Sequence, residues 1–125
     1  MSADRVRDGH RIAQLLASEL ESGATDERLT VTDADPEVEP TADGALAYRV
    51  LDEESDDVLA DVFVQPDQTY VEFRVAPDAT AAAADEAGLR VRPKAVQPPR
   101  TIVFVEDGAQ AKWVLRAFAA AVEAT

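Results

Sequence analysis

The chain contains no cysteine, which excludes disulfides, thiol chemistry and zinc sites built on thiolates. His10 is the single histidine. A histidine-centred metal site therefore lacks a second imidazole, and a triad would have to recruit Ser2, Ser18, Ser22 or Ser55, none in a nucleophile-elbow context. The five glycines are isolated, with neither the GxGxxG nor the Walker spacing, so nucleotide hydrolysis loses its usual support and no cofactor is implied. No run approaches the roughly eighteen apolar residues of a membrane span. No charged leader precedes an apolar core, and a cytoplasmic location is the expectation. Lysine is nearly absent, at Lys94 and Lys112 only.

What is abundant is negative charge. With 25 acidic against 12 basic side chains the formal net charge is −13, which disfavours broad binding to nucleic acid or anionic lipid. The acids run through nearly every segment, and the length of 125 residues suits one domain with one core. Many Asp and Glu, few Lys and abundant Ala and Val give a composition that resembles proteins of halophilic archaea along the whole chain. The resemblance implies a fold that needs salt, since surface carboxylates repel one another until molar salt shortens the screening length to about 3 Å.

Periodicity predicts the elements. Val6, Gly9, Ile12, Ala13, Leu16, Ala17 and Leu20 share one helical arc, giving a helix over 3–22 with Ser2 as N-cap, Asp4 in its first turn and Gly23 as its stop. A short strand over 28–32 precedes an acidic, proline-interrupted loop. Strands over 45–51, 58–65 and 69–76 then read as an antiparallel meander, broken by the charged 52–57 segment and by Pro66-Asp67-Gln68. An Ala-rich helix follows over 78–87, with Asp78 as its N-cap and Gly88 as its stop. Thr101 to Val105 is apolar at both parities, which suggests a strand central in the sheet or covered on both faces. Asp107 and Gln110 resemble a capping box ahead of a helix that runs to about Glu123.

The fold class expected is α+β, a mainly antiparallel sheet of four to six strands. The N- and C-terminal helices pack on one face, and a short third helix lies between strands. In this element order the chain resembles the chaperone fold of type III secretion systems.

The binding candidates are few. Arg90, Arg92, Lys94 and Arg100 form a basic arm in an acidic protein; Arg90 and Arg92 project from one side of an extended strand and offer two guanidinium forks to a phosphate or a partner's carboxylates. Internal pairing with the acidic loops is the competing reading. Trp113, off the apolar arc of the last helix beside Lys112 and Arg116, is an interface candidate together with Tyr70 or Phe63 on the sheet's second face. Glu72 is the best single carboxylate for acid–base chemistry, in a pocket between sheet and helices, against a cross-strand ion pair with Arg49. Asp52, Glu53, Glu54, Asp56 and Asp57, and the calcium-loop-like Asp33, Asp35, Glu37 and Glu39, are read as solvated surface, so no specific metal is expected. These residues favour a non-enzymatic interaction or adaptor domain that self-associates or contacts another protein. A phosphate or small-molecule binder using Arg90 and Arg92 is the alternative, and an enzyme using Glu72 the third reading.

Overall fold

The computed structural model of the chain describes residues 6–23 and 25–125. Helix α1 is Gly9–Glu21, capped by Asp8, whose carboxylate accepts the Arg11 N–H at 3.1 Å. The helix expected from residue 3 thus begins later, because Asp8 is extended and satisfies the first turn itself. Val6 lies outside it, its carbonyl accepting from Gly108 N at 3.1 Å. The Ser2 cap and Asp4 lie outside the described residues. Gly23 takes the left-handed conformation that ends the helix, at φ +76.

Six strands follow: β1 Leu29–Thr32, β2 Ala45–Asp52, β3 Asp57–Val64, β4 Thr69–Phe73, β5 Val91–Lys94 and β6 Arg100–Val105. They form one fully antiparallel sheet in the order β1-β2-β3-β4-β6-β5. β1 to β4 are the meander; β5 and β6 are a hairpin whose second strand pairs with β4. β6 is therefore interior, flanked by strands on both sides. It is covered on one face only: Thr101, Val103 and Val105 are buried, while Ile102 and Phe104 are half-buried.

Helix α2, Pro77–Glu86, enters the chain between β4 and β5. Pro77 stands in its first turn, as proline's fixed φ favours, and Asp78 lies inside that turn instead of capping it. The N-cap is Ala76, in the left-handed region at φ 46. The C-terminal helix is divided into α3, Gln110–Trp113, and α4, Leu115–Glu123. The chain tightens to i→i+3 bonds around Val114, where Ala117 N donates to Val114 O at 3.0 Å. Ahead of α3, Asp107 accepts the Gln110 N–H at 3.0 Å and Gln110 Oε1 accepts Glu106 N–H at 2.8 Å. This is the reciprocal cap that the sequence suggested, displaced by one residue on one side.

All helices lie on one face of the sheet, and strand parity shows which. Tyr48, Thr69, Phe73 and Thr101 share that face. The Tyr48 hydroxyl donates to Ala13 O at 2.7 Å, Thr69 to Gly9 O at 2.7 Å and Thr101 to Pro77 O at 2.7 Å. Phe73 meets Phe118 of α4 edge-on with centroids 4.8 Å apart, a geometry worth about 0.5–1.5 kcal/mol beyond area burial. Burial holds the Tyr48 hydroxyl protonated far above its ordinary range. Among the described residues no helix or second sheet covers the opposite face, and the candidate site lies there.

Candidate functional site

Cross-strand register sets two parallel rows of side chains on the open face. One row runs Leu46, Phe63, Tyr70, Phe104 across β2, β3, β4 and β6. Its rings touch: Phe63 and Tyr70 stack at 5.0 Å between centroids, and Tyr70 meets Phe104 at 6.1 Å. Arg90 closes the row with its guanidinium 3.9 Å from the Phe104 centroid, a cation–π contact. The Tyr70 hydroxyl donates to Asp43 O at 2.8 Å. Burial, then the charges of Glu72 and Asp43, raise its pKa above the ordinary value.

The adjacent row is Arg49, Asp61, Glu72, Ile102, Arg92. Asp61, nearly enclosed, accepts from Arg74 through both carboxylate oxygens at 2.9 Å and from Arg49 Nε at 3.1 Å, with Arg100 at 3.8 Å. Glu72, equally enclosed, has Lys94 Nζ at 2.6 Å and Arg100 Nη1 at 3.6 Å. Arg49 reaches on to Asp33 at 3.2 Å. Four cations thus surround two buried carboxylates and offset the cost of dehydrating them, while Glu72 Oε1 is enclosed without a hydrogen bond among the described residues.

This arrangement alters several sequence-based expectations. Glu72 does not pair with Arg49, because β3 lies between their strands and the register Arg49, Asp61, Glu72 places Asp61 where it intercepts the guanidinium. Nor does Glu72 occupy a pocket between sheet and helices; its neighbours Val71 and Phe73 point there and Glu72 points the other way. The basic arm is divided. Lys94 and Arg100 are taken by Glu72 and Asp61, and Arg90 by Phe104 and by Glu106 at 3.5 Å. Their partners are carboxylates of the sheet and its strand ends, not the acidic loops. Arg92 alone of the four has a side chain with no hydrogen bond or ion pair among the described residues.

Phe63 and Tyr70 do lie on the sheet's second face, but Trp113 does not join them. It sits in the helix layer, on the far side of the sheet, 44% exposed. His10 is half-buried beside Ala13, Val31, Val38 and Tyr48 in the groove between α1 and β1, which no serine lines among the described residues. Asp52 departs most from its expected solvated role. It is fully enclosed, bonded to both Nε and Nη2 of Arg28, and accepts Glu54 N–H at 2.9 Å and Thr125 Oγ1 at 3.0 Å. The Arg28 guanidinium holds its carboxyl well below the usual carboxylate range, against the opposing effect of burial. In the 33–39 loop, Asp35 accepts the Glu37 N–H at 3.0 Å while Asp33 faces Arg49.

The residue that sequence reasoning missed is Asp61. Its signal was present: a lone carboxylate inside the apolar run Val58 to Val64, at the same strand parity as Phe63. Among the described residues no group of three His, Asp or Glu is disposed to hold a metal ion, and no helix is long and apolar enough to cross a membrane. No curated protein and no solved structure matches the chain. The family of unknown function DUF7993 matches over residues 1–125, and the chain belongs to that family.

Proposed function

We propose that the chain is a non-enzymatic protein-interaction module that self-associates through the open face of its sheet, in a cytoplasm of high salt. The observation that carries this reading is the contiguous ring row Phe63, Tyr70 and Phe104 on a face that no helix covers among the described residues. Beside it Arg49, Asp61 and Glu72 of the charged row are already ion-paired within their own chain, which leaves Arg92, among the described residues, as the row's one cation for a second copy to meet. The edges of the sheet are poorly suited to strand addition. β1 has four residues, and β5 carries Pro93 between Arg92 and Lys94. The resemblance in element order to type III secretion chaperone domains, an analogy of fold class, is taken to support a binding role over a catalytic one.

Sedimentation equilibrium in molar KCl tests it. The wild-type chain is expected to sediment as a dimer, and Phe63→Lys as a monomer with an unchanged circular-dichroism melt. A wild-type monomer at high micromolar concentration overturns the reading.

One observation favours a second reading. The unpaired Arg92 borders a depression of about 210 Å³ with Tyr70, Ile102 and Phe104 on its floor and Gln65 and Asp43 at its rim. A guanidinium beside the tilted rings of Tyr70 and Phe104 suits a small phosphate-bearing ligand. A thermal-shift screen with inorganic phosphate and nucleoside monophosphates tests it: stabilisation is expected in the wild type and absent in Arg92→Met.

A further inference from the structure

The helix layer carries a second surface, unrelated to the open sheet face. Trp113 projects from α3 against the turn that ends α2, where a Cβ on Gly88 would lie 3.8 Å from the indole Cζ3. The ring forms one wall of a depression of about 310 Å³ lined by Glu86, Ala87, Lys112 and Arg116. That volume is at the small end of ligand pockets, roughly 300–1,000 Å³, and suits the side chains of a docked segment. Trp113 is the chain's single tryptophan, and an indole left 44% exposed in a domain with a complete core is the residue type most often found anchoring interfaces.

The charges around it point to the occupant. Among the described residues the cations divide into those with a carboxylate partner and those without, the latter being Arg7, Arg11, Arg92, Lys112 and Arg116. Arg28, Arg49, Arg74, Arg90, Lys94 and Arg100 are all ion-paired. Lys112 and Arg116, one helical turn apart and lining the same depression as the indole, are exposed, and neither side chain has a hydrogen bond or ion pair among the described residues. With Glu86 also in the lining, the depression carries two cations and one carboxylate beside an exposed ring, a net positive charge that complements a segment presenting carboxylates beside an apolar side chain. A second copy of this chain fits less well. A two-fold contact through this patch would set Lys112 and Arg116 against the same two cations of the other copy, with a single Glu86 from each copy to offset them.

We propose that the groove between α2 and α3 at Trp113 docks an acidic segment of a different protein, with the indole as anchor and Lys112 and Arg116 as its clamps. This leaves the open sheet face free for self-association and would make the chain an adaptor with two distinct surfaces.

Because the tryptophan is unique, its emission reports occupancy directly. The full chain is titrated with a synthetic peptide of Asp, Glu and Leu, at the lowest KCl concentration that keeps the circular-dichroism melt intact. A saturable blue shift is expected. Lys112→Glu with Arg116→Glu should weaken binding about tenfold or more, and Trp113→Ala, followed by anisotropy of a fluorescein-labelled peptide, should weaken it comparably. Phe63→Lys should leave it unchanged, which separates this surface from the sheet face. The proposal is overturned if the wild type shows no shift, if the charge-reversed variant binds as well, or if a peptide with Lys in place of the acids binds equally. It is likewise overturned if raising the protein concentration alone gives the shift, which would identify a second copy as the occupant.

Discussion

Arg74 lays its guanidinium along Asp61, donating from Nε to one carboxylate oxygen and from Nη2 to the other, each at 2.9 Å. Arg49 supplies a third donor from the neighbouring strand, so the one acid holds two cations on an otherwise apolar stretch of β3. Asp61→Asn keeps the shape but removes the charge that these guanidinia share. A loss of about 3 kcal/mol is expected, the range for breaking one partner out of an enclosed ion pair. Asp33→Asn, whose side chain is 59% exposed in its pair with Arg49, should cost about 1 kcal/mol or less. Urea melts at constant KCl compare the two, and equal losses would show that Asp61 is no hub.

The basic arm should separate by partner. Lys94→Met leaves Glu72 with only Arg100 at 3.6 Å, and a buried acid short of a partner costs about 1–2 kcal/mol. Arg92→Met removes a side chain with no partner and should stay within about 0.5 kcal/mol. The same melts read both, and a matching loss at Arg92 would mean that it has a structural partner after all.

Much of the fold was legible because local signals and tertiary demand agree. Val71, Phe73 and Val75 against Tyr70, Glu72 and Arg74 gave the orientation of β4, and the charged tip at 52–57 gave the hairpin between β2 and β3. The start of α1 was misplaced because Val6 continues the apolar arc in sequence, while in space it is tied to Gly108 and Asp8 is the residue that caps. Propensity could not reveal that tie.

The candidate site was legible residue by residue but not as an arrangement. Composition marked the basic arm, yet pairing depends on register, and register set Asp61 between Arg49 and Glu72. Asp52 was hidden for a related reason. It reads as one more acid in a charged tip, and only the pairing of β1 with β2, Leu29 opposite Asp52, carries Arg28 alongside it.

That pairing has a pH signature. Asp52 has a folded-state pKa held below its ordinary value of 3.8, first by Arg28. The proton therefore binds the unfolded chain more readily. The contribution to stability is complete above the unfolded value and is lost as pH falls from about 4 towards and through the folded one. Asp52→Asn should lower stability at pH 7 and flatten the acid limb of a stability curve taken from pH 5 to pH 2. An acid limb of unchanged steepness would place its origin in other carboxylates.

Gly9 is a site where a single methyl should matter. A Cβ there would lie 1.8 Å from Gln65 O and 2.5 Å from Gln68 O, both backbone atoms of the turn before β4. Neither can swing aside as a side chain would, so α1 must lift from the sheet. Gly9→Ala should cost about 3 kcal/mol, the upper range for overpacking, and speed amide exchange at Thr69, whose hydroxyl bonds Gly9 O. A near-neutral Gly9→Ala would show that the close approach of helix and turn is not required.

Salt should act on the coat and spare the interior pairs. The exposed carboxylates Glu53, Asp56 and Asp57 crowd the tip between β2 and β3, and their repulsion is screened over about 10 Å at 0.1 M salt but about 3 Å at 1 M. The enclosed Asp61 and Asp52 pairs have little solvent between their charges and should respond weakly. Thermal melts of the wild type are therefore expected to rise with KCl. Glu53→Gln with Asp56→Asn and Asp57→Asn should melt higher than the wild type at low salt, with the gap closing in molar KCl. Closure of the gap distinguishes screening from the general strengthening of apolar burial by salt, which raises both proteins alike. A gap that persists at every salt concentration, or no gap at all, would show that charge repulsion at this tip does not make the fold salt-dependent.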